Sequence, residues 1–160
     1  DITFDGVKTT GSLLMFAPMS YNEGRITFRN CEMLLKPGTL INSNADGVHA
    51  SSNRFGVIID NCTFRNAFDD FINTNEHGGV VTKIINSNTF EIDRDLFYKE
   101  GDEIRFFNRS NHEVFGTAFL KSVEKTDDGK YILTLDRAVK NVVSSDTSSV
   151  PTVVYKNHKK

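Results

Sequence analysis

The sequence has no tryptophan, three prolines, two cysteines and a net charge of only −2 over 160 residues. Two cysteines cannot staple a disulfide scaffold. The near-zero charge argues against a nucleic-acid binder living on phosphate contacts, and no nucleic-acid partner is expected. No run of 18 apolar residues exists, so no membrane span is expected. Scarce proline, aperiodic glycine and short apolar runs exclude collagen, low-complexity disorder and coiled coil. What is present is 38% apolar and 25% charged residues, with thirteen phenylalanines as the main aromatic stock. That composition fits a soluble globular chain of about one domain. The chain opens on Asp1 without Met or an apolar leader, which reads as a processed protein or an excised piece.

Internal similarity is the first positive signal. Ile2-Thr3-Phe4-Asp5-Gly6-Val7, Ile26-Thr27-Phe28-Arg29-Asn30-Cys31 and Val57-Ile58-Ile59-Asp60-Asn61-Cys62 are variants of one pattern, and Lys83-Ile84-Ile85-Asn86-Ser87-Asn88 is a weaker fourth. Each is a short β-branched run closed by turn residues, too short for an amphipathic helix. Such units cannot bury an apolar face alone and must stack. The expected fold is all-β: a partial right-handed parallel β-helix over residues 1–78, with Asn30 over Asn61 and Cys31 over Cys62. The longer second repeat places its extra loop around Lys36-Pro37-Gly38-Thr39.

After His77-Gly78-Gly79 the pattern becomes alternating strands and hairpin turns. Val80–Ile85 faces Thr89–Ile92, and Ala118–Glu124 faces Lys130–Leu135 across Asp127-Asp128-Gly129, an Asp-Gly hairpin signal. A small antiparallel β-barrel is expected over 79–150, which makes the fourth repeat a barrel hairpin. Residues 151–160 read as a return segment or a fraying tail.

The residues that carry chemistry are Asp46 and the pair Asp69-Asp70. Ala45-Asp46-Gly47-Val48-His49 aligns with Phe68-Asp69-Asp70-Phe71-Ile72 at a step of 23 residues, which stacks Asp46 on Asp69. Neighbouring parallel strands lie about 4.8 Å apart. Asp70 joins its neighbour on one surface only if the chain bends there. Three adjacent carboxylates repel unless a proton is shared or a cation is bound. Three readings stand at this point. The aspartates are ordinary turn residues, or they hold Ca²⁺ without the usual Asp-x-Asp-x-Asp-Gly loop, or they divide acid and base work as in glycoside hydrolysis. Asn44, Asn73, Asn75, His49 and His77 accompany them, and amides both donate and accept as sugar hydroxyls require. With no tryptophan, Phe55, Phe68, Phe71 and Tyr98 are the available stacking platforms.

Asn44-Ala45-Asp46-Gly47-Val48-His49, Cys62-Thr63-Phe64-Arg65-Asn66, Phe68-Asp69-Asp70 and Asn73 resemble pectin-lyase-like β-helix glycosidases, in particular the α-1,3-galactosidases of glycoside hydrolase family 110. Polygalacturonases share the Asp-Gly and later Asp-Asp logic, but their Gly-His-Gly and Arg-Ile-Lys motifs are absent. The resemblance implies inverting, exo-acting hydrolysis of a terminal α-linked galactose. It implies Asp69 as general acid, with Asp46 and Asp70 holding the attacking water. His49, Asn73, His77 and Asn44 would bind an oligosaccharide or polysaccharide, with no cofactor and no metal. It implies a secreted or periplasmic bacterial protein. The alternatives are a non-catalytic carbohydrate-binding β-helix module and a calcium-dependent polysaccharide lyase.

Overall fold

The computed structural model describes residues 1–12, 15–95 and 97–157, which form two compact units, Asp1–Glu76 and His77–Asn157. The described chain is all-β, with no helix.

The first unit holds nine short strands. They are β1 (Ile2–Asp5), β2 (Lys8–Thr9), β3 (Ala17–Ser20), β4 (Ile26–Arg29), β5 (Glu32–Met33), β6 (Val48–Ser51), β7 (Ile58–Asp60), β8 (Thr63–Phe64) and β9 (Ile72–Asn75). They form three parallel sheets in the orders β1-β4-β7, β2-β5-β8 and β3-β6-β9. Repeat similarity is therefore real pairing: Ile2 lies beside Ile26 and Thr27 beside Ile58. The steps are 24 and 31 residues, and the longer one has a local cause. Thr9 pairs with Met33 at a step of 24, whereas Ser12 pairs with Ser43 at a step of 31. Seven extra residues thus lie between Met33 and Ser43, around the turn in which the Thr39 amide donates to the Lys36 carbonyl.

Alternation and position in the sheet together set burial. In central β4, Ile26 and Phe28 are buried, while the same Ile-Thr-Phe triplet in edge strand β1 leaves Ile2 and Phe4 exposed. The Phe4 and Phe28 rings stack at 5.1 Å. Met19, Ile26, Phe28, Cys31, Val48 and Ala50 form the core of this unit. The corners that close the strands are left-handed at equivalent positions: Gly6, Asn30 and Asn61 have φ of 67°, 52° and 50°. Asparagine tolerates that region better than most residues. Its side chains also stack here, Asn61 Nδ2 donating to Asn30 Oδ1 at 2.7 Å and Asn30 Nδ2 to Asp5 Oδ1 at 2.9 Å. Cys31 and Cys62 are unbonded, and the Cys31 amide donates to Cys62 Sγ at 3.4 Å.

The second unit is a closed barrel of β10 (Gly79–Asn86), β11 (Thr89–Ile92), β12 (Glu103–Asn108), β13 (Glu113–Lys125), β14 (Tyr131–Leu135) and β15 (Val153–Lys156). Its order is β10-β11-β14-β13-β12-β15, with every pair antiparallel. The fourth sequence repeat lies in β10, so it is a barrel hairpin. The Asp-Gly turn joins β13 to β14, with Gly129 at φ 84°. Alternating residues fill the interior, among them Phe90, Ile104, Phe106, Leu120, Leu133 and Val154.

From sequence, residues 151–160 read as a return segment or a fraying tail; within them, Val153–Lys156 is the strand that pairs with both β10 and β12 and closes the barrel. The reading of residues 158–160 lies outside the described residues. Closure also explains Gly78: a Cβ there would lie 2.3 Å from Val153 Cγ1 and 2.7 Å from the Tyr155 ring.

Candidate functional site

Asp46, Asp69 and Asp70 come together in the first unit, each offering a carboxylate oxygen within 4.8 Å of the others. The backbone explains this. Asp46 immediately precedes Gly47 and the central strand β6, flanked on both sides by parallel neighbours. The Ala17 amide donates to the Gly47 carbonyl at 3.1 Å, and the Gly47 amide donates to the Asp70 carbonyl at 2.8 Å. Val48 pairs with Ile72 and His49 with Asn73, a step of 24. The expected stacking is therefore corrected by one residue: Asp70, not Asp69, lies alongside Asp46. Asp69 reaches the cluster because the chain bends between the Ala67 bridge and β9. Asp46 is buried at 4% exposure, whereas Asp69 and Asp70 are exposed.

Gly47 makes this approach physically possible. A Cβ on it would sit 2.5 Å from the Phe71 carbonyl oxygen, a fixed backbone atom. Phe68 and Phe71 bracket the two exposed acids and leave 70% and 51% of their surface free. They are exposed aromatic side chains adjacent in sequence to the two acids. Tyr98, also expected as a platform, is buried in the barrel core instead.

The polar companions divide. His49 lies on β6 with both ring nitrogens engaged: Nδ1 is 2.5 Å from Asp46 Oδ2, and Nε2 is 3.3 Å from Asn75 Nδ2. Asn73 lies beside it on β9, and its Oδ1 accepts from Asn75 Nδ2 at 3.4 Å. Asn44 is exposed two residues before Asp46. His77 is the first residue of the second unit and is exposed. Sequence reasoning placed Asn75 nearby without a role and missed Ser51, whose hydroxyl donates to Asn75 Oδ1 at 2.6 Å. Their pairing in register was legible only from the 24-residue step.

Chemically, three oxygens this close can share a proton, grip a water, or ligate one cation. Calcium–oxygen distances near 2.4 Å allow ligand oxygens up to about 4.8 Å apart. Fold and cluster together define an all-β chain that presents converging carboxylates, flanked in sequence by exposed phenylalanines, on parallel repeats. The chain is similar to the alpha-1,3-galactosidase B of Akkermansia muciniphila, 25% identical over 134 residues, covering 76% of this chain and 17% of that protein. It thus spans about a sixth of the relative's length. No protein-family model matches the chain.

Proposed function

We propose that this chain carries the carboxylate centre of a carbohydrate-active enzyme, an inverting, exo-acting glycoside hydrolase that removes terminal α-linked galactose. The reading includes a parallel β-helix as the scaffold of residues 1–78, exported with its glycan substrate outside the cytoplasm. The observation that carries it is the convergence of Asp46, Asp69 and Asp70 within 4.8 Å. The exposed rings of Phe68 and Phe71 support it, since a galactose ring has an apolar face to lay on an aromatic one. Similarity to a galactosidase supports the substrate class.

In this mechanism Asp69 donates a proton to the leaving glycosidic oxygen. Asp46 and Asp70, side by side just ahead of neighbouring strands β6 and β9, orient a water and take its proton as it attacks the anomeric carbon. Asn44 and Asn73 are assigned to the sugar hydroxyls. The oxygen spacing bears on stereochemistry. Group separations of about 6.5–9.5 Å go with inversion and about 5–5.5 Å with retention. Nearest oxygens within 4.8 Å lie toward the second range. The anomer released decides: β-galactose agrees with one-step inversion, and α-galactose overturns it.

The direct test is hydrolysis of an aryl α-galactoside and of an α-1,3-linked galactobiose, with Asp69→Asn, Asp46→Asn and Asp70→Asn alongside. Asp69→Asn is expected to lose about 10² or more in kcat/KM on the disaccharide, as removal of a general acid does. Unchanged turnover in that variant overturns the assignment. The cation-compatible spacing favours a second reading, a calcium-dependent polysaccharide lyase. An unsaturated product absorbing in the ultraviolet, abolished by chelation, decides for the lyase. Glycan binding without any product decides for a non-catalytic module.

A further inference from the structure

We propose that His49 is a positioning residue for Asp46, locked in one neutral tautomer by Asn75, and not a sugar ligand. The proposal deepens the hydrolase reading and rests on it for its kinetic consequence, though not for its structural one.

The argument starts from the strands. His49 and Ser51 are two apart on β6, and Asn73 and Asn75 two apart on β9, so each pair shares one face of its strand. The strands are in register, His49 beside Asn73 and Ser51 beside Asn75. Val48 and Ala50, pointing the other way, belong to the core. The polar face is thereby held by packing behind it.

With the Asn75 amide oxygen placed toward Ser51, hydrogen-bond capacity gives a direction to each proton. A serine hydroxyl donates to Asn75 Oδ1 at 2.6 Å, which turns the amide nitrogen toward the other side. That nitrogen has two hydrogens and no acceptor capacity. It faces His49 Nε2 at 3.3 Å and Asn73 Oδ1 at 3.4 Å, so each takes one hydrogen. With Asn75 Nδ2 as the donor, His49 Nε2 is the acceptor and carries no proton. In a neutral imidazole the proton then sits on Nδ1. Nδ1 lies 2.5 Å from Asp46 Oδ2, an acceptor when ionised. The chain runs Ser51 to Asn75 to His49 to Asp46, donor to acceptor throughout.

The consequence is that neither ring nitrogen is left for a sugar hydroxyl. His49 is also only 22% exposed at its side chain, and Asp46 5%. What the ring can do is hold one oxygen, Oδ2, of a buried carboxylate that belongs to the three-aspartate cluster. A base fixed in this way keeps its geometry through turnover, and misplacement by about 1 Å can cost on the order of 10²-fold in rate.

Two measurements test this. The first is nitrogen NMR on protein labelled with ¹⁵N-histidine, the His49 signals being identified by their loss in His49→Asn. Expected are a protonated Nδ1 and a bare Nε2; the opposite tautomer, or an imidazolium, overturns the proposal. Asn75→Asp puts an acceptor in place of the donor and is expected to protonate Nε2; an Nε2 that stays bare in that variant also overturns it. This arm needs no activity.

The second is kinetics on an aryl α-galactoside. Asparagine can place an N–H near the Nδ1 position, and glutamine places it near Nε2. His49→Asn is expected to stay within about tenfold of the parent kcat, while His49→Gln loses roughly 10- to 100-fold, both with KM nearly unchanged. A rise in KM with kcat intact in both variants would make His49 a sugar ligand and sink the proposal. A parent protein without activity defeats the hydrolase reading alone, because the NMR result stands independently.

Discussion

Glu91 on β11 shows how a single charged side chain is held where strands meet. Its carboxylate accepts from the Thr82 hydroxyl at 2.6 Å and from Lys130 Nζ at 2.9 Å, and its side chain is 15% exposed. The Thr82 hydrogen bond first, and then the Lys130 ammonium, hold its carboxyl below the usual range. A carboxyl lowered in the folded state contributes stability that is complete above its unfolded pKa and lost as pH falls through the folded one. Glu91→Gln is therefore expected to cost up to about 1 kcal/mol at neutral pH, a partly exposed pair being worth little more. The cost should shrink toward zero at pH values below the native Glu91 pKa, as read by urea unfolding across pH. An equal cost at all pH values would assign the effect to packing. Asp46 is held by a different device, a histidine N–H on a carboxylate that burial has already removed from water.

At the scale of the element, the first unit depends on register between parallel strands. A slip of one residue turns every side chain to the opposite face. Val48 and Ala50 in the core set the step at 24, and with it the placement of Asp46 beside Asp70. Gly47 is the narrow point of this arrangement, since the nearest obstacle to a Cβ is the Phe71 carbonyl at 2.5 Å. Gly47→Ala is expected to push β6 from β9, costing about 1–3 kcal/mol as overpacking does. It should also weaken the Gly47-to-Asp70 backbone bond, seen as faster exchange of the Gly47-position amide and the Val48 amide. A variant that keeps parent stability and parent exchange at Val48 would show that the strands can move apart without cost.

At the scale of the whole molecule, each compact unit has its own core, and the barrel's is the more aromatic at its centre. Phe90 and Phe106 are 1% and 0% exposed and meet edge to face, with centroids 5.5 Å apart. Closure of the barrel leaves no sheet edge there for pairing with another chain. Phe106→Ala opens a cavity in that closed interior and is expected to destabilise the barrel by about 3–5 kcal/mol. Hydrogen exchange of β11, β12 and β14 amides should read the loss; protection unchanged in those strands would mean that the interior refills the space. Among the described residues no helix is long and apolar enough to cross a membrane.

Local chemistry determined much of this protein directly. The Ile-Thr-Phe repeats are strands in parallel register and the Asn-Cys repeats are the corners that follow, because β-branched alternation and left-handed Asn corners are properties of short segments. The Asp-Gly hairpin of β13 and β14 was equally legible, as was the gathering of the three aspartates into one cluster. Three things needed tertiary structure. Letter similarity aligned Asp46 with Asp69, but the core behind β6 and β9 set the true partner one residue further on. Val153–Lys156 carries no turn signal that announces pairing, and only the open edges of β10 and β12 make it the closing strand. The expected role of His49 is to bind sugar, and only the register of Ser51 with Asn75 brings a partner to its second nitrogen. Pairing energy between distant segments is not written in either segment alone. It depends on which apolar faces are buried together, and that is a property of the folded chain.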